Sequence, residues 1–225
     1  MSELCRSFII YTRSYKETSL LLDVLTEDHG MISIVANGAK RTTSKFGSSL
    51  QPFYFNALQF YGKHDLKTLQ ATESIAYYDL GLNNVCGLYL NELIYRILPK
   101  HDPCPKLFAS YTQTIAGLAQ NIDPQKYLRL FEKQIFSTIG YGLDFSNIKI
   151  NKFYVYKFHY GFIEVPSGAN GSISGSSLLS FANYLDDDLY SGNKAQVLHE
   201  IKGLMRIIIN HHLGSKRLFS KEVLI

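Results

Sequence analysis

Short apolar stretches separated by turn residues fill the first third of the chain. Five of them have the length and the β-branched or aromatic content of strands: residues 7–11, 19–25, 31–36, 52–61 and 66–75. A tight Asp28-His29-Gly30 turn joins the second stretch to the third, and residues 62–65 form the turn between the last two. Five strands at this spacing predict a small closed or half-closed β-barrel of OB-fold size.

Helical periodicity replaces this pattern after residue 81. The predicted helices cover residues 87–98, about 105–119, 124–139, 178–185 and 194–212. A β-hairpin is predicted at residues 153–165, and a Gly- and Ser-rich flexible connector at 166–177. The expected fold class is therefore α+β. The predicted domains are an OB-fold domain at 1–80, a helical domain at 81–145 and 174–225, and a hairpin insertion at 146–173.

Bulk composition favours a folded protein with a mild preference for anionic partners. The net charge is +4, and the whole excess lies in residues 83–225. No stretch approaches the ~20 apolar residues that cross a bilayer, and the first residues lack the apolar run of a signal peptide. Three widely spaced cysteines, Cys5, Cys86 and Cys104, suit buried thiols in a reducing compartment. We therefore expect a soluble, cytoplasmic protein.

Motifs for catalysis or cofactor binding are missing from the sequence. It contains no GxxxxGK[ST] phosphate loop, no GxGxxG dinucleotide fingerprint and no GxSxG nucleophile elbow. A nuclease would need clustered carboxylates for metal ions, and residues 186–188 (Asp-Asp-Asp) are the one cluster that offers them. We expect a protein that is not an enzyme and that uses no metal or cofactor.

The loop after the third predicted strand carries cations that suit a nucleic acid. Lys40, Arg41 and Lys45 lie there among Gly, Ser and Thr residues. Lysine and arginine neutralise phosphates, while hydroxyls and exposed amides add neutral hydrogen bonds. Phe46 and the aromatic residues of stretch 52–61 could stack on bases or could pack in the core. A merely solvated loop is the alternative interpretation.

Two further groups of cations lie in the second half of the chain. Lys216 and Arg217 form a basic segment near the end, which we predict to contact DNA. Lys126, Arg129 and Lys133 lie along one face of the helix at 124–139. A cationic rim beside an apolar helix face suits an acidic peptide with hydrophobic anchors. A solvated helix face is the competing interpretation.

An ordered set of motifs resembles the RecO family of bacterial DNA repair proteins, the recombination mediators of the RecF pathway, over nearly the whole chain. In order, they are ETSLLLDVLTEDHG, VANGAKR, LQPF, GLYLNELIYRIL, LRLFEKQIFSTIGYGLDF and LGSKRLFSKEVL. The resemblance implies an N-terminal OB domain, a helical domain and a small zinc-finger-like insertion.

The same resemblance implies a function in DNA repair and recombination. Members bind single- and double-stranded DNA and anneal complementary strands coated with single-stranded DNA-binding protein. They act with RecR, contact the acidic C-terminal tail of single-stranded DNA-binding protein, and help to load RecA without ATP. A nucleoid-associated location follows. The alternative is an adaptor that docks this acidic tail and contacts DNA only secondarily.

Only some of the family's functional residues have a counterpart in this chain. Lys40, Arg41 and Lys45 match its basic loop, and Arg129 falls in the region that resembles the tail-binding site. Many relatives hold zinc through four cysteines after the GYG segment, whereas this chain has none there. We therefore expect no metal in the insertion, and aromatic packing in its place by Phe153, Tyr154, Tyr156, Phe158 and Phe162.

Overall fold

The computed structural model of the chain describes residues 4–46, 48–121, 123–183, 194–214 and 218–220. They fall into two compact units, one within Met1–Pro124 and Leu218–Ile225, the other within Gln125–Arg217. The domain limits given above divide the chain by type of secondary structure and stay a prediction.

A closed five-stranded barrel forms most of the first unit. Its strands are β1 (Cys5–Tyr15), β2 (Ser19–Thr26), β3 (Gly30–Ala36), β4 (Tyr54–Tyr61) and β5 (Leu66–Tyr77). They pair in the order β1-β2-β3-β5-β4, and β4 closes onto β1. All pairs are antiparallel except β3 with β5. The α+β class and the N-terminal OB-fold barrel are thereby confirmed.

The barrel interior is filled by alternate side chains of its strands and by two residues of the loop at 37–53. Ile9, Leu22 and Ile34 are fully buried in this cluster. Phe46 and Leu50 enter it from the loop, each 4% exposed. Both side chains are buried because transfer of an apolar side chain from water into the barrel interior lowers the free energy. Of the two interpretations given for Phe46, the structure therefore supports core packing and not stacking on bases.

Two helices complete the first unit. A 3-10 turn at Gly81–Asn83 leads into α1 (Asn84–Ile97), and α2 (Pro105–Ala119) begins with proline. Phe8 of β1 meets Phe108 and Tyr111 of α2 at ring-centroid distances of 5.8 and 5.0 Å. Asn91 of α1 donates a hydrogen bond to the Ile10 carbonyl at 3.2 Å. These contacts fix the helices on the outer face of β1 around residues 8–10.

In its described residues, the second unit combines three helices with a small sheet. Its elements are α3 (Pro124–Thr138), β6 (Phe153–Lys157), β7 (Gly161–Val165), β8 (Ile173–Ser174), α4 (Gly175–Ala182) and α5 (Lys194–Leu213). The predicted connector at 166–177 is wrong in its last part, where β8 pairs with β6 and α4 begins three residues early. The cause is local: Ser174 accepts a hydrogen bond from the Ser177 amide at 3.2 Å and caps the helix.

Aromatic residues pack around the hairpin formed by β6 and β7. Tyr156 lies 5.3 Å from Phe158 and 5.4 Å from Phe162, ring centroid to ring centroid. Phe162 also meets Phe145 at 5.6 Å, and Phe158 stacks on His211 at 3.5 Å. No cluster of three or more His, Cys, Asp or Glu side chains occurs among the described residues. The side chains of this insertion therefore do not fit the tetrahedral zinc site that the family resemblance implies.

Candidate nucleic-acid interface

The basic loop leaves β3 through a series of tight turns. The Lys40 amide donates to the Thr18 carbonyl at 2.9 Å, which ties the loop to the β1–β2 connection. Backbone hydrogen bonds from Arg41 to Gly38 and from Ser44 to Arg41, at 3.1 and 3.0 Å, wind the segment between them. Gly38 has φ +72, a conformation that side chains with a Cβ rarely adopt. These bonds fix the backbone that carries the three predicted cations.

Lys40 and Lys45 reach opposite sides of the loop, while the Arg41 side chain lies beside Gly38. The Lys40 ammonium is 3.4 Å from the Ser14 hydroxyl of β1. The Lys45 ammonium donates to the Gln70 carbonyl of β5 at 2.9 Å and lies 5.2 Å from the centre of the Phe46 ring. The loop therefore spreads its positive charge between β1 and β5, and its buried Phe46 holds that position.

All three loop cations are exposed. In the part of the chain that the structure describes, no carboxylate lies within ion-pair distance of Lys40, Arg41 or Lys45. Their charge is therefore not cancelled by a neighbour and is available to a polyanion. Binding a phosphate backbone would release counterions, which makes such a surface strongly sensitive to salt.

A second basic group on the barrel was not singled out from the sequence. Asp23 of β2 is fully buried, and it contacts Arg13 Nη1 at 3.3 Å and Lys100 Nζ at 3.2 Å. Ser33 of β3 donates to the same carboxylate at 2.6 Å. The alternation of Tyr, Arg and Tyr at residues 11, 13 and 15 was the available signal, but the partner Asp23 lies on another strand.

Arg129, predicted to receive an acidic peptide tail, is buried in α3. Its Nη1 atom pairs with Glu132 Oε2 at 2.8 Å, and the two side chains are 8% and 0% exposed. The structure therefore shows an arginine whose charge already has a partner. A carboxylate from outside would meet an arginine that already pairs with Glu132, and the role of Arg129 in binding the tail stays a prediction.

Lys126 and Lys133, the other two cations predicted for this site, differ in environment. Lys126 is half-buried. Lys133 donates to the Ala182 carbonyl at 2.9 Å at the end of α4, and it lies 5.5 and 5.4 Å from the ring centres of Phe145 and Phe181. Burial lowers the pKa of Lys133. In this arrangement Lys133 holds α4 against α3.

Lys216 and Arg217, predicted to bind DNA, lie outside the described residues, as does the carboxylate cluster at 186–188. Among the helices that the structure describes, none combines the length and apolar content of a membrane span.

A closed five-stranded barrel with an exposed basic loop is the architecture of the OB-fold proteins that bind nucleic acids and saccharides. Comparison with known proteins identifies a family within this class. Residues 1–78 match the family described as Recombination protein O N terminal, and residues 81–222 match Recombination protein O C terminal.

Similar proteins match along almost their whole length. One from Methylococcus capsulatus is 36% identical, over 96% of this chain and 90% of the relative. One from Haemophilus influenzae (strain Rd) is 36% identical, over 99% of this chain and 95% of the relative, and one from Thiobacillus denitrificans is 34% identical, over 96% and 89%. Each is named DNA repair protein RecO. The chain belongs to the RecO family, whose role is DNA repair and recombination.

Proposed function

We propose that this protein is a recombination mediator that binds single- and double-stranded DNA and anneals complementary strands coated with single-stranded DNA-binding protein. Together with RecR it helps to load RecA, and it docks the acidic tail of single-stranded DNA-binding protein. It performs no covalent chemistry and needs no ATP or other cofactor. Its place of action is the nucleoid.

One observation carries the proposal: a member of the RecO family presents three exposed cations on one loop of an OB barrel, and none of them has a carboxylate partner among the residues that the structure describes. Phosphate contacts supply most of the affinity of proteins that bind DNA without sequence preference. Annealing requires that two strands be held without reading their sequence, so contacts of this kind suit it. The sequence carries no phosphate loop for ATP, which agrees with an activity that depends on binding alone.

The basic loop is tested by replacing Lys40, Arg41 and Lys45 together with alanine. We expect single-strand affinity to fall and the slope of log K against log salt to decrease by about 2, since each lost phosphate contact on a single strand is worth about 0.7. Fluorescence anisotropy with a labelled oligonucleotide, titrated at several salt concentrations, measures both quantities.

A matched control removes the same charge elsewhere. Lys106, Lys149 and Lys157 are exposed lysines outside the loop, and the triple alanine variant of these positions should keep the salt slope. Equal slopes for the loop variant and the wild type would contradict the assignment of DNA binding to the loop.

Annealing itself is tested on complementary strands coated with the cognate single-stranded DNA-binding protein, with and without ATP. The expected result is annealing at the same rate in both conditions. A magnesium-dependent cleavage assay on the same DNA separates this proposal from the nuclease alternative, because shortened products would show chemistry where we propose none.

A further inference from the structure

The outer face of β1 carries an aromatic and cationic row beside the C-terminal end of α1. Leu22 and Val24 of β2 face the barrel core, so Asp23 between them faces outward. Tyr11 pairs with Asp23 across the strands, after a bulge that follows Ile9. Side chains alternate along a strand. Tyr11, Arg13 and Tyr15 therefore share this outer face.

Tyr11 of this row is accessible, whereas Tyr15 is half-buried. Tyr11 is 49% exposed, and Tyr95 of α1, at 41%, lies beside it with 5.3 Å between the ring centroids. The planes of the two rings are tilted by 42° rather than stacked flat. Each ring therefore keeps part of its surface available to another planar group.

Arg13 between the tyrosines is held in place. It contacts the Tyr95 hydroxyl at 3.3 Å and the buried Asp23 carboxylate at 3.3 Å. The Arg13 guanidinium is charged like that of any arginine, and the hydrogen bond to Tyr95 raises its pKa further. An arginine fixed in this way loses little conformational entropy on binding.

The charges at this surface do not cancel. Arg13 and Lys100 share the one carboxylate of Asp23, and their side chains remain 40% and 49% exposed. One buried negative charge under two accessible positive charges leaves a net positive surface. Such a surface attracts an anionic polymer and disfavours an apolar peptide without acidic groups.

We propose that Tyr11, Arg13 and Tyr15, with Tyr95 and Lys100, form a track for single-stranded nucleic acid on the outer face of β1. Bases stack on Tyr11 and Tyr95, and Arg13 binds phosphate between them. Alternate residues of a strand are about 6.7 Å apart, so Tyr11, Arg13 and Tyr15 present their side chains in one line along β1. The inference rests on the proposed function and adds a second contact surface to the basic loop.

The absence of tryptophan from the chain gives a direct test of stacking. The variant Tyr11→Trp places a single tryptophan in the track. We expect its fluorescence to be quenched when an oligo-dT is added. An abasic oligonucleotide of the same length and a duplex should leave it unchanged, since neither offers an unpaired base. Tyr160→Trp, at a position 79% exposed on the hairpin of the other unit, is the control and should not respond.

Affinity provides a second readout. In the double variant Tyr11→Ala/Tyr95→Ala we expect a loss of about fivefold to 150-fold for each stacked base, with an unchanged salt slope because no charge is removed. Tyr160→Ala serves as the matched aromatic control. Thermal unfolding of each variant confirms that the barrel still folds, and the Tyr11→Trp signal tests stacking without any truncation.

The outcomes separate the inference from the function on which it rests. If the wild type binds single strands but the fluorescence of Tyr11→Trp is not quenched, the track is wrong and the proposed function stands. No DNA binding by the wild type overturns both. If the double alanine variant binds DNA normally but loses a protein partner, the surface is a protein interface and the track is wrong.

Discussion

Glu92 of α1 is a single carboxylate that holds a distant segment of its own chain. It accepts hydrogen bonds from the Phe219 and Ser220 amides, both at 3.0 Å, from the Ser220 hydroxyl at 2.7 Å and from Arg96 Nε at 2.8 Å. Burial raises the pKa of Glu92, but these donors outweigh it, and the net pKa lies below the ordinary value. Its stabilising contribution is therefore complete above the ordinary carboxyl pKa of about 4.3 and is lost as the pH falls through the lower folded value.

Glu92→Gln should weaken this attachment. An amide presents one acceptor oxygen in place of two and brings its own N–H₂ towards the donors, so we expect a loss of about 1–3 kcal/mol at pH 7. Hydrogen exchange at the Phe219 and Ser220 amides measures the effect. The difference from the wild type should disappear at acid pH, where the wild-type carboxyl is protonated.

Glu73→Gln is the control, since Glu73 is an exposed carboxylate of β5. It should not alter exchange at these two amides. Equal protection in Glu92→Gln and the wild type at pH 7 would show that the hydrogen bonds to Glu92 do not hold the segment.

The buried Arg129–Glu132 pair makes a prediction about the acidic tail. If Arg129 receives the carboxylates of that tail, Glu132 is its competitor, because the two side chains pair at 2.8 Å. Glu132→Gln should then bind an acidic, Phe-ending peptide more tightly than the wild type, and Arg129→Ala should bind it more weakly. Isothermal titration of the peptide into each variant measures both.

Both variants disturb a buried ion pair and should lower stability, so instability alone predicts weaker binding for both. Opposite changes in affinity are therefore diagnostic. Weaker binding in Glu132→Gln and in Arg129→Ala alike would mean that the pair has a structural role and that the tail binds elsewhere.

At the scale of single elements, two helical glycines have opposite surroundings. Gly87 of α1 is buried, and an added Cβ would contact Leu80 and come within 2.7 Å of Phe53 Cε1. Gly203 of α5 is exposed and has open space at its Cβ position. Packing in α1 therefore requires a residue without a Cβ at position 87. Position 203 has no such requirement, and its glycine loses more conformational entropy on folding than an alanine would.

Alanine should therefore have opposite effects at these two positions. Gly87→Ala should destabilise the first unit by about 1–3 kcal/mol, because overpacking outweighs the gain in helix propensity. Gly203→Ala should stabilise α5 by about 0.5–1 kcal/mol. Denaturant unfolding, followed by hydrogen exchange within α1 and α5, assigns each change to its helix. Stabilisation by both substitutions would contradict the packing described for α1.

Strands and helices could be predicted from the sequence where the pattern that indicates them lies within the element itself. Each of the five barrel strands overlaps the stretch predicted for it. Four of them extend beyond that stretch, by up to four residues at one end, whereas β4 begins two residues later than predicted. The early start of α4 was missed, because the serine-rich segment before it suggests a connector until Ser174 is seen to cap a helix. The capping hydrogen bond depends on where the Ser174 hydroxyl lies relative to the Ser177 amide, and the composition of the segment does not reveal this.

At the scale of the whole molecule, the chain returns to its first unit after completing the second. It enters the second unit at Gln125 and rejoins the first at Leu218. Leu218 is 4% exposed, whereas the neighbouring Phe219 is 72% exposed and lies over the Arg96 guanidinium at 5.6 Å. This segment is therefore attached by the burial of Leu218 and by the hydrogen bonds of Phe219 and Ser220 to Glu92.

The two neighbours give a matched pair of variants. Leu218→Ala should cost about 2–5 kcal/mol of the segment's attachment, as expected for a buried leucine, and Phe219→Ala about 0.5–1 kcal/mol, as expected for an exposed cation–π contact. Limited proteolysis near the C-terminus compares them: the leucine variant should be cut faster. Equal rates for both variants and the wild type would mean that Leu218 does not anchor the segment.

The sequence by itself determined the strands, most of the helices, the OB class of the barrel and the basic loop with Lys40, Arg41 and Lys45. Periodicity and turn residues act over a few neighbouring positions, so they can be interpreted without knowing the fold. The tertiary structure alone decided that Phe46 fills the barrel, that Arg129 is paired with Glu132, and that Tyr11 and Arg13 meet Tyr95. Each of these depends on which face of one element meets another, and free energies of burial and of charge pairing settle that choice only when the elements are packed together.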